Sequence, residues 1–171
     1  MSSDDRIKVS LGLKLVSLLL IVGGVVGIGL TLWLDLNFVN SGQISLFSPT
    51  IAITGAFIVL FGWAAWTGRE LWTGNRRALT WAKILFGIQI PLIQLPGFSY
   101  EFHTGFTLPI RIITGPRLNF GFNFGSSFTF YISPQIQDVA VGINLVALIV
   151  LIYLERVTHP PAPAGDKFGL L

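Results

Sequence analysis

At 171 residues the chain could be one soluble domain, yet 52% of it is apolar and only 11% charged, against about 25% charged in ordinary soluble domains. A net charge of +3 is too small to point to nucleic acid. With no cysteine and two histidines, disulfides, thiolate metal sites and a histidine-rich metal or haem centre are excluded within one chain, and no cofactor is expected.

The first ten residues are polar. From Leu11 to about Leu36 follows LGLKLVSLLLIVGGVVGIGLTLWLDL, longer than the roughly 20 apolar residues that cross a bilayer. No small-x-small cleavage site follows it, so an uncleaved span is expected rather than a signal peptide. Gly23 and Gly27 form a G-x-x-x-G that lets two helix backbones approach closely. After a polar loop, Ser48-Pro49 reads as a helix start. A second span is predicted over 49–73, with Ala52 and Ala56 as a further small-residue stripe.

A third span is predicted over 78–95 and a fourth over 136–154. Pro91 should kink the third, and Gln89 and Gln94 need partners if they face inward. Asn144 sits near the middle of the fourth. The proline-rich tail, about 158–171, is expected to be disordered.

Charge sets the expected orientation. Of the 11 lysines and arginines, only Arg111 and Arg117 fall on one side of these spans. The positive-inside rule then puts both termini in the cytoplasm of an inner, bacterial-type membrane. Arg69, Arg76, Arg77 and Lys83 cluster at the second turn, where they can meet anionic lipid headgroups. The partners expected are the lipid bilayer and either a second copy or another membrane protein.

Between the last two predicted spans, residues 98–133 alternate strictly, the mark of strands with two unlike faces. Phe98, Phe102, Phe106, Phe120, Phe122, Phe124, Phe128 and Phe130 share one face; Glu101, Arg111, Asn119 and Asn123 share the other. Glycine-containing breaks at 103–105, 114–116 and 125–127 read as three-residue hairpin loops. Those loops pair Phe102 with Phe106, Ile112 with Leu118 and Phe124 with Phe128, keeping apolar residues opposite one another. The expected fold is membrane α+β: a four-helix transmembrane bundle with an extracytoplasmic four-stranded antiparallel meander between the third and fourth helices.

No motif for catalysis, phosphate binding or metal ligation is present. A non-enzymatic membrane protein is expected, its phenylalanine-rich sheet face serving assembly, because so much apolar surface is costly to leave in water. One alternative is a small carrier or channel lined by Gln89, Pro91, Gln94 and Asn144. Another is a membrane enzyme using Glu101 and His103.

Overall fold

The computed structural model describes residues 7–42, 49–114, 117–133 and 138–159. Helix α1 spans Leu11–Asn40, opened by Ser10, whose hydroxyl accepts from Leu13 N. Helix α2 spans Pro49–Trp72, with proline at its first position; the expected cap Ser48 lies outside the described residues, as does nearly all of the tail. The two helices run antiparallel along a seam of small residues. A Cβ on Gly24 would lie 2.5 Å from Phe61 O and 2.7 Å from Ala65 N, and one on Gly68 would lie 2.7 Å from Ser17 O. These glycines bring backbone against backbone, where dispersion is strongest.

The predicted third and fourth spans are each part helix and part strand. Helix α3 covers only Arg77–Ile88, and helix α4 only Leu145–Thr158. Pro91–Leu95 is strand β1, and Ala140–Asn144 is strand β8. Helix α3 stops three residues short of Pro91, which has no N–H to extend it. Asn144 is not mid-helix; it caps α4, its Oδ1 accepting from Val146 N and Ala147 N at 3.1 and 3.5 Å. Thus a four-helix transmembrane bundle with a four-stranded meander is not the fold. Among the described residues only α1 and α2 are long and apolar enough to cross a membrane.

The remaining strands are β2 (Gly97–His103), β3 (Phe106–Thr107), β4 (Pro109–Ile113), β5 (Arg117–Phe120), β6 (Asn123–Phe124) and β7 (Ser127–Ser133). The main sheet has six strands in the order β5-β4-β8-β1-β2-β7, every neighbour antiparallel, and β3 pairs separately with β6.

The pairings Phe98–Ile132, Phe106–Phe124 and Ile112–Leu118 are all centred on position 115. Three strand pairs are therefore one long hairpin. Of the three expected loops, only the one at 114–116 joins paired strands. Those near Gly105 and Gly125, both at positive φ, are bends in the ribbon. Phe102 accordingly pairs with Phe128, not with Phe106, and Phe106 takes Phe124. The ribbon folds back on itself and β1 and β8 fill the gap between its limbs.

The alternation itself survives this rearrangement. Tyr100 opposes Ile93 and Phe130, Val141 opposes Ile93 and Ile112, and Ile110 opposes Ile143 and Phe120. One face of the sheet is apolar throughout; the other holds Gln94, Ser99, Glu101, Arg111, Asn119, Ala140 and Gly142.

Two cores stack along the helices. Leu13, Val16 and Leu20 of α1 meet Ala64 and Leu71 of α2, Leu85 and Phe86 of α3, and Ala147 and Leu154 of α4. Beside the other halves of α1 and α2, Phe57 and Phe61 hold Phe102, with Tyr100, Phe128 and Phe130 around them. The sheet flanks the helices rather than sitting on their ends. Its bend rests near the middle of α1, where Ser126 Oγ donates to Gly23 O and a Cβ on Gly23 would meet Gly105 N at 2.6 Å.

Candidate functional site

The polar face of the sheet gathers the ionisable groups. Glu101 on β2 and Arg111 on β4 are three strand positions apart in the sheet order, yet Arg111 Nη2 donates to Glu101 Oε2 at 2.6 Å. They meet because the sheet curls around this face. Gly142 allows it: a Cβ there would strike Ile110 O and come within 2.8 Å of Arg111 Cγ. The pair borders two cavities. One, of about 20 Å³, is lined by Leu92, Gln94, Ser99 and Ala140 among others, and is large enough for one water. The other, of about 250 Å³, is bounded by Pro109, Asn119, Gly121, Phe122 and Asn123.

His103 lies deeper, 1% exposed, with Nδ1 3.7 Å from Glu101 Oε1. Neither ring nitrogen has a hydrogen-bond partner, nor do Gln89 Nε2, Thr107 Oγ1 and Asn144 Nδ2. Their neighbours are well tied. Gln89 Oε1 accepts from Thr104 N and Oγ1 at 3.0 and 3.3 Å, and Asn144 Oδ1 accepts from Leu108 N at 3.3 Å. These groups concentrate where the ends of α3 and α4 meet the ribbon bend.

Burial holds the His103 imidazole below its ordinary value of 6.5; the Glu101 carboxylate acts against this and the Arg111 guanidinium with it. Because the folded-state value is the lower one, the associated stability is complete above 6.5 and is lost as pH falls below it. The unfolding midpoint in detergent should therefore drop between about pH 7.5 and 5.5, and drop less in His103→Gln. Equal pH dependence in the two proteins would remove His103 as its source.

The apolar face is divided. Phe102 is fully buried, its ring 5.3 Å from that of Phe61, while Phe128 stacks on Phe57 at 4.0 Å and Phe98 meets Phe130 edge-on. Phe106 packs edge-on against Phe122. Beyond the helices, the flank formed by β8, β4, β5 and the bend is bare. Ile112, Leu118, Phe120, Phe122, Phe124, Val141 and Ile143 are 40–77% exposed. The phenylalanines at 98, 102, 128 and 130 are thus core-side, and those at 120, 122 and 124 are surface. The aliphatic residues Ile112, Val141 and Ile143 belong to the same surface and were legible only as strand or span residues.

Gly27 faces the Phe61 ring and Gly23 faces the sheet, while Ala52 and Ala56 are exposed on α2. Gln89, Pro91, Gln94 and Asn144 fall on the end of α3, on β1 and on β8, not on one helix face. Arg69, Arg76 and Arg77 are exposed at the α2–α3 turn. Lys83 instead donates to Glu155 Oε2 at 2.6 Å, joining α3 to α4; that hydrogen bond holds the Glu155 carboxyl below its usual range. Among the described residues no three histidine, aspartate or glutamate side chains come together as metal ligands.

No protein family matches the chain, and no curated protein or solved structure does either.

Proposed function

We propose that this is an integral membrane protein of non-enzymatic type, held in the bilayer by α1 and α2, whose bare apolar sheet flank is an assembly surface. The observation that carries the reading is the continuity of that flank: Ile112, Leu118, Phe120, Val141 and Ile143 share one face of paired strands, and with Phe122 and Phe124 they are 40–77% exposed. A patch of this extent marks an interaction surface.

The exposed arginines at the α2–α3 turn support both termini on the cytoplasmic side of an inner membrane, with Arg69, Arg76 and Arg77 at the headgroups. The carrier reading is weaker, because Gln89 and Asn144 spend their carbonyl oxygens on backbone N–H groups, of Thr104 and of Leu108 and Val146. The enzyme reading is weaker still, since the His103 ring is closed off from solvent.

In mild detergent the protein should run as a defined complex. Phe120→Ser/Phe122→Ser should reduce it to monomers, measured by size exclusion with light scattering. Both side chains are two-thirds exposed in the single chain, so the monomer should keep its unfolding midpoint. A complex of unchanged mass in the double variant would overturn the proposal.

A further inference from the structure

The two edges of the sheet are treated differently. At the start of β7, Ser127 and Phe128 share a cavity with Thr31, Trp33 and Leu34 of α1, so a helix stands beside that end of the edge. Along β5 all four residues are exposed. Natural edges are blunted by short length, charge, proline or a bulge; β5 is four residues long with Arg117 at its start, while Leu118-Asn119-Phe120 carries neither charge nor proline.

The phase of the ladder fixes which backbone groups are free. Gly121 N donates to Pro109 O at 3.0 Å. In this register the bonded pairs are then 109–121, 111–119 and 113–117. Leu118 and Phe120 lie between them and turn their N–H and C=O outward. The edge is self-complementary about Asn119. A twofold axis there sets Leu118 of one copy against Phe120 of the other, and the reverse, giving four N–H···O bonds. Asn119 meets its own copy across the axis, and Arg117 falls opposite Gly121, so no like charges oppose each other.

An unpaired edge leaves the outward N–H and C=O groups of Leu118 and Phe120 open to a further strand. A second β5 supplies that strand, and joins the two bare flanks into one apolar surface.

We propose that β5 is the seam of a twofold dimer in which two copies pair antiparallel about Asn119. This rests on the assembly reading and names its partner as a second copy of the chain. Because the chain has no cysteine, single-cysteine variants test it in intact membranes.

A residue at a non-hydrogen-bonded axial pair has its Cα about 4.5 Å from its mate, inside the range a disulfide spans, about 4.4–6.8 Å. On mild oxidation Asn119→Cys should give a covalent dimer in at least about fivefold greater yield than Leu118→Cys, Phe120→Cys or the α2 control Val59→Cys. Mixing the Leu118→Cys and Phe120→Cys chains should restore crosslinking. If Asn119→Cys crosslinks no better than Val59→Cys while the detergent complex persists, the seam is wrong and assembly stands. A complex that contains a different protein also sinks the seam. Monomers throughout, with no crosslink, sink both readings.

Discussion

Gly24→Leu is expected to prevent the protein from reaching its folded state, while Gly29→Leu, five residues along the same helix, leaves it intact. At Gly24 the nearest atoms to an added Cβ are backbone, Phe61 O and Ala65 N, and they cannot rotate away. At Gly29 nothing lies within 4 Å. Leucine has the better helix propensity by about 0.8 kcal/mol, so the Gly29 variant should be neutral or slightly more stable. The loss at Gly24 must therefore come from packing. Over-filling a close-packed site costs about 1–3 kcal/mol, and forcing two helix backbones apart should exceed that.

Gly27→Leu should fall between the two. Its clash is with the Phe61 ring, which can turn, but that ring is itself held against Phe102. The check is the yield of monodisperse protein and its thermal midpoint in detergent. A Gly24→Leu protein that melts like the parent would show that α1 and α2 do not meet along this seam.

The helices that were legible in the sequence are those whose apolar runs exceed any strand. Helices α1 and α2, at 30 and 24 residues, can only be helix at that length. The runs at 78–95 and 136–154 are ambiguous, because a strand covered on both faces is as continuously apolar as a buried helix. Their boundaries carry weaker signals: Gln89 and Ile90 ahead of Pro91, the β-branched Val141 and Ile143 flanking Gly142, and an asparagine directly before LVALIVL.

In the alternating stretch, parity was readable from each residue's neighbours, whereas connectivity was not. Gly105 and Gly125 carry the same local signature whether they close hairpins or bend a ribbon. What decides is remote. Pairing Phe102 with Phe128 puts both rings beside Phe57 and Phe61, and folding the ribbon back gives β1 and β8 two edges to pair with. The same fold-back brings Glu101 to Arg111, ten residues apart and on one parity, which a flat sheet would have left solvated.

That pair yields the second large effect. Arg111→Met should destabilise the protein by about 2 kcal/mol, below the 3–5 kcal/mol of a fully buried pair and above the 0–1 kcal/mol of a surface one. Glu101 and Arg111 are 21% and 32% exposed, and the bond between them is short, so neither limit applies. Glu101→Leu should cost a similar amount, since it leaves a guanidinium whose Nε is already buried without a partner.

The double variant should lie closer to the parent than either single, because no charge is then left alone on the curled face; unfolding in detergent micelles gives the coupling energy directly. The neighbouring imidazole offers a second readout that does not depend on stability. With Arg111 gone, Glu101 acts on His103 unopposed and its titration should move up; with Glu101 gone, it should move down. Single variants within about 0.5 kcal/mol of the parent, together with an unmoved His103 titration, would mean that the sheet does not curl and that the two side chains stand apart in solvent.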